Sequence, residues 1–145
     1  MATLIASMAA SGITPKACHT GLNTVVSTYS LTASLATNDI IQFLKLPDGA
    51  RVIHMEIMSN VNLFAMAGIV DVGTRADQDL FIQSATPSAN LKFTVNVATG
   101  FGYELDMSDT DEPKYSMVEM KVTIGGTGTT SGAISLLVCY DMNQP

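Results

Sequence analysis

Charge is scarce in this chain. Asp, Glu, Lys and Arg together make up 14% of its 145 residues, where an average soluble domain carries about 25%. The seven Lys and Arg residues are scattered. They form no patch that could neutralise phosphates, so nucleic-acid binding is not expected. Tryptophan is absent and aromatics are 6%, which leaves a sugar-binding platform few rings to stack on. No apolar run approaches the ~20 residues of a membrane span, so no membrane partner is expected. The two cysteines, Cys18 and Cys139, and the two histidines, His19 and His54, show no metal or redox spacing. The cysteines could pair only if the fold brings them together, and reduced thiols are the default. The opening MATLIASMAASGITPK lacks a basic start and a continuous apolar segment. It is expected to be mature sequence, made in a cytoplasm, rather than a signal peptide.

The same scarcity thins out chemistry. No Ser stands in a G-x-S-x-G elbow. Cys18 and His19 are neighbours, and on an extended chain neighbours point to opposite sides, so they do not couple easily. Glycines 125, 126 and 128 lack the Lys and the helix of a phosphate loop. Two acidic stretches remain, with Asp71, Asp77 and Asp79 in one and Asp106, Asp109, Asp111 and Glu112 in the other. Calcium wants six to eight oxygens (about), and neither stretch follows the EF-hand pattern. A bound Ca²⁺ or plain solvated loops both fit these stretches, and solvated loops are the default. Glu56, Glu104 and Glu119 fall on predicted strands, a weak basis for a carboxylate pair. No catalytic residue, cofactor or metal site is assigned, and no enzyme activity is expected.

What is present is apolar surface. Hydrophobic residues are 47% of the chain and the mean hydropathy is +0.29. That is too apolar for a disordered chain and rather apolar for a free monomer. One domain fits the length, and a chain of this size buries roughly two-thirds of its unfolded surface without disulfide or metal. The balance predicts self-association.

The apolar residues recur with a strand's period. Asn23–Leu31 is rich in Val, Thr and Tyr, residues that fit a pleated surface. Asp39–Leu46 reads as a buried strand ending at Leu46-Pro47-Asp48-Gly49, a tight turn. Arg51–Ser59 alternates, with Ile53, Met55 and Ile57 on one face. Leu63–Val72, with small residues at Ala65, Ala67 and Gly68, predicts close approach of another element. Short strands follow at Leu80–Gln83 and Phe101–Leu105. Leu91–Val97 and Tyr115–Ile124 alternate again, and Ala133–Met142 closes the series. The turn Gly125–Gly132 predicts an antiparallel pairing of these last two strands. The fold class is therefore all-β, an antiparallel β-sandwich of the jelly-roll kind with an N-terminal arm. The expected core is Ile41, Phe43, Ile53, Ile57, Phe93, Val95, Val118, Val122, Leu136 and Val138. Residues 22–145 form the sandwich domain. Residues 1–21, small and nearly uncharged, form the arm. It is either a frayed end or a segment that orders on a neighbour through Leu4, Ile5, Met8 and Ile13.

Thr32 to Asn60 (TASLATNDIIQFLKLPDGARVIHMEIMSN) and Val70 to Ile82 (VDVGTRADQDLFI) carry a specific pattern. An Asn-Asp pair starts a strand, a Leu-Pro-Asp-Gly-Ala-Arg turn follows, and an Asp-Val-Gly segment leads to an aromatic-Ile end. This resembles the jelly-roll head decoration, or cement, proteins of tailed bacteriophages. The likeness extends loosely over residues 22 to 142, and TIGGTGTTSGAISLLVCYDM fits it in outline. It implies a homo-oligomer, often a trimer, on the outside of a virion capsid, with the major capsid protein as partner. It transfers no active site. Arg51 is expected either to contact a carboxylate or subunit, where its fork matters, or to be solvated. Another virion component, such as a head-fibre base, adaptor or minor capsid protein, and a carbohydrate-binding jelly roll are the alternatives.

Overall fold

The structure is a computed structural model, and it describes residues 1–7, 9, 22–47, 49–60, 62, 65, 67–86, 103–104, 115–128 and 131–142. Among the described residues there are nine strands: β1 Thr3–Ile5, β2 Leu22–Leu31, β3 Ile40–Pro47, β4 Ala50–Ser59, β5 Ile69–Thr74, β6 Ile82–Ala85, β7 Tyr103–Glu104, β8 Tyr115–Ile124 and β9 Gly132–Met142. They form a five-stranded sheet in the order β1-β3-β8-β5-β6 and a four-stranded sheet in the order β2-β9-β4-β7. The all-β sandwich expected from strand periodicity is the architecture found. Among the described residues, helical geometry is confined to Ser7, Ala9, Ala65 and Ala67, and no helix is long and apolar enough to cross a membrane.

Successive strands mostly change sheets. Among the described strands, only β5 and β6 are consecutive in sequence and paired with each other. The turn after β3 therefore crosses the sandwich, and its Gly49 takes φ +79, a left-handed conformation that costs glycine little. The same habit corrects one expectation. β8 and β9 do not pair: β8 lies between β3 and β5, and β9 lies between β2 and β4. The chain therefore changes sheets after β8 and does not turn back in a hairpin, with Gly126 donating its amide to the Leu35 carbonyl.

The core lies between the sheets. Ile41, Phe43, Leu44 and Leu46 of β3 and Val118, Met120 and Val122 of β8 face Val52, Met55 and Ile57 of β4 and Ile134, Leu136, Val138 and Tyr140 of β9, all fully buried. Seven of the expected core residues (Ile41, Phe43, Ile57, Val118, Val122, Leu136 and Val138) are among them. Phe93 and Val95 lie outside the described residues. Ile53 does not belong: it is 43% exposed. The pairing of β4 with β9 shifts between Val52 and His54. Such a bulge inserts one residue and reverses the in-out parity. Val52 is buried before the bulge and Met55 after it, so Ile53 faces out. The predicted Leu63–Val72 strand starts only at Ile69. The close approach expected at its small residues is present, since a Cβ on Gly68 would collide with the Ile124 carbonyl.

The first residues join the sandwich. β1 pairs with β3 in the only parallel ladder of the described strands. Ile40 donates its amide to the Ala2 carbonyl at 2.9 Å, and Ala6 donates to Gln42 at 2.8 Å. The Asp39 carboxylate accepts the amides of Ala2 at 2.8 Å and Ala36 at 2.9 Å. Ala6 is fully buried and Leu4 packs against the core. Composition predicts an arm over residues 1–21 that stands apart from the sandwich. Its described beginning lies instead on the chain's own sheet, because backbone bonds and one carboxylate hold it there.

Candidate interaction surfaces

The outer face of the five-stranded sheet is a closed polar network. Gly73 of β5 lies opposite Glu119 of β8, which lies opposite Gln42 of β3. The loop after β5 folds back over this point, and a Cβ on Gly73 would collide with the Asp77 carbonyl. The loop leaves Glu119 only 2% exposed. Its Oε1 accepts from Gln42 Nε2 at 3.0 Å and from Arg75 Nε at 3.4 Å. A buried carboxylate needs such donors. Asp71, in register with Lys121, accepts the Ser84 amide at 2.6 Å and the Thr123 hydroxyl at 2.7 Å. Gln83 donates to Asp79 at 2.8 Å.

These contacts account for the first acidic stretch. Asp71, Asp77 and Asp79 border one open hollow with Arg75, Gln78 and Lys121. Two cations stand in the same lining, and the Asp71 oxygens already accept hydrogen bonds. No group of three or more His, Cys, Asp or Glu side chains suited to a metal occurs among the described residues. The second acidic stretch, residues 106–112, lies outside them.

The outer face of the four-stranded sheet is different. β2, β9 and β4 present Leu22, Thr24, Val26, Thr28, Leu137, Cys139, Ile53, His54 and Glu56 there, as the register dictates. Leu22 is 60% exposed and Val26 46%. Thr28 and Ser135 share a hydrogen bond at 2.8 Å, and the Thr24 hydroxyl lies 3.5 Å from Cys139 Sγ. His54 Nε2 is 3.6 Å from Glu56 Oε2. Its β2 side is aliphatic and hydroxyl without charge, while the side toward β7 carries Glu56 and the outward-turned row of Asp141 and Arg51.

The sequence-predicted contact residues do not gather in one place. Leu4 is turned to the core and Ile5 is 52% exposed on the edge of the five-stranded sheet. Met8 and Ile13 lie outside the described residues, as do Cys18 and His19. Arg51 is on the other sheet, half-buried, in register with Asp141 of β9 on one side and Glu104 of β7 on the other. Sequence reasoning missed Leu22, Val26 and Ile53 as exposed apolar residues. The signal for the first two was legible: Leu22–Leu31 contains no charged residue.

No protein-family profile matches the sequence, and no curated protein matches it. Solved structures do share the fold. A chain in the capsid of Ralstonia phage GP4 superposes with a TM-score of 0.71 at 17% identity, over 99% of this chain and 100% of that one. A chain in the capsid asymmetric unit of cyanophage Pam1 gives a TM-score of 0.60 at 17% identity, over 90% of this chain and 94% of that one.

Proposed function

We propose that this chain is a non-enzymatic phage virion protein that binds the outer surface of an assembled capsid and stabilises it as a decoration protein. The observation that carries this reading is the fold shared end to end with chains of two phage capsids. The matched chains are nearly the same length as this one, so the whole sandwich, and not an inserted module, is the common unit. The turn and strand pattern of residues 32–60 and 70–82 points the same way.

The mechanism is thermodynamic. A protein that binds the assembled lattice and not its dissociated subunits stabilises the lattice by mass action. A homo-oligomer, a trimer in this proposal, engages several capsid subunits at once and gains avidity without any single tight contact. The partners are then the major capsid protein and further copies of this chain, and the chain is made in the cytoplasm of the infected host.

The test uses expanded capsids assembled without this protein. Added protein is expected to bind saturably and to raise the temperature at which the capsids release DNA or dissociate. Failure to bind, or a shell that cannot assemble at all without the protein, would overturn the decoration role. The second result would make it a building block of the shell.

A further inference from the structure

We infer that the edge of β2, which pairs with no other strand among the described residues, is a self-recognition site, where Leu22–Val26 pairs antiparallel with the same segment of a second copy about a two-fold axis at Thr24. The inference starts from the sheet edges. A sheet edge is a template for another strand, and proteins blunt such edges with shortness, bulges, proline or charge. Among the described strands, three of the four edges are blunted. β1 has three residues, β7 has two, and β6 has four, with a register shift in its pairing and Ser84 at φ +49. β2 is unlike them. It has ten residues, pairs with β9 without a shift, and contains neither proline nor charge.

The register fixes what the edge offers. The Thr28 amide points away from β9, since it donates to Ser7 Oγ at 3.1 Å. Along a strand the direction alternates, so the amides and carbonyls of Leu22, Thr24 and Val26 point the same way. Ser7 occupies the edge at Thr28 and limits the open stretch to Leu22–Val26. Antiparallel pairing centred on Thr24 places Leu22 opposite Val26 of the other copy, and the reverse. All three positions become hydrogen-bonded pairs. The two exposed aliphatic side chains of the edge, Leu22 and Val26, then cover each other across the joint. A strand complementary to itself in both backbone and side chains suits an isologous two-fold. Each copy carries a net charge of −6. No charged residue lies in the paired segment, so the repulsion is long-range and is screened by salt. The joint unites two four-stranded sheets into one and doubles the aliphatic-hydroxyl face. It uses a different symmetry operator from a capsid trimer and can coexist with it.

The test needs no capsid, so its failure is separate from failure of the decoration role. Light scattering of the full chain at physiological salt and micromolar concentration is expected to give an even multiple of the 15.3 kDa chain mass, twice it where the trimer forms only on the capsid. Thr24→Cys supplies the geometry. Hydrogen-bonded antiparallel partners have Cα atoms about 5.5 Å apart, within the range of about 4.4–6.8 Å that a disulfide spans. Cys139 is beside Thr24, so the variant is made with Cys18→Ser and Cys139→Ser. Mild oxidation is expected to convert it to a covalent dimer. Val26→Lys should yield a folded monomer by circular dichroism and light scattering. Amide exchange of the unmodified protein keeps the question answerable if the cysteine variant misfolds: Thr24 and Val26 should gain protection as concentration rises. A monomer at every concentration overturns the inference. So does an oligomer that neither cross-links at Thr24 nor responds to Val26→Lys. Protection of these amides in a monomer would mean that the chain's own residues cover the edge, and would equally overturn it.

Discussion

The two sheets of this sandwich share one core but present opposite chemistry to the outside. The five-stranded sheet covers its outer centre with its own loop and satisfies Glu119 and Asp71 with named donors. The four-stranded sheet leaves Leu22, Val26 and Ile53 exposed among hydroxyl groups. A face whose polar groups already bond one another has little to offer a partner. A face of exposed aliphatic groups gains by being covered. The difference teaches that the polar network belongs to folding and that the uncharged β2 side of the other face is the part suited to association.

Five substitutions test that division. The largest effect is expected at the shared core. Phe43→Ala removes a fully buried ring and should cost about 3–5 kcal/mol in denaturant unfolding. A cost under about 1 kcal/mol would mean that the two sheets are not packed through β3 as described. The next concerns the loop over the five-stranded sheet. Gly73→Val places a side chain against the backbone of residues 77 and 78, which cannot move aside cheaply. A loss of about 3 kcal/mol is expected. An unchanged melting temperature would show that the loop does not close over Gly73.

Glu119→Ala comes third. It strands Gln42 and leaves Arg75 without its carboxylate, at an expected cost of about 1–3 kcal/mol. Arg75→Ala should cost less, about 0–1 kcal/mol, because the arginine is half exposed and its charge is solvent-screened. Equal losses from the two would point to the ion pair, and not the buried acceptor, as the source of stability. The smallest stability effect is expected on the other face. Ile53→Lys should change unfolding by less than about 0.5 kcal/mol, yet weaken capsid binding at least about tenfold, or about 1.4 kcal/mol. Unaltered capsid affinity would break the comparison, for the aliphatic face would then not be the one that meets the shell.

Ile53 also shows how far local pattern carries. Strict alternation puts Ile53, Met55 and Ile57 on the inward face and Val52, with His54, Glu56 and Met58, on the other. The bulge opposite Cys139 and Tyr140 selects Val52 instead. A bulge is a relation between two strands, so neither strand's sequence contains it. Thr123 and Glu119 make the same point on β8. Both read as outward by alternation, and both are outward, yet Thr123 is exposed and Glu119 is buried. Only the loop from β5, distant in sequence, separates them.

The sequence by itself determined the class of fold and the strand-forming segments. Alternation, β-branched composition and turn residues act within a few neighbouring residues, so Tyr115–Ile124 and the turn at Pro47-Asp48-Gly49 are written locally. It also determined that little charge would be available for catalysis or phosphate binding. Tertiary structure decided which strands pair. It carried β8 and β9 into different sheets, drew Thr3–Ile5 onto β3 through Asp39, buried one carboxylate, and put β2 at the end of its sheet among the described strands. The physical reason is that a strand's hydrogen-bonding groups are alike at every residue. Its partner is therefore chosen by burial summed over the whole chain and not by any one segment.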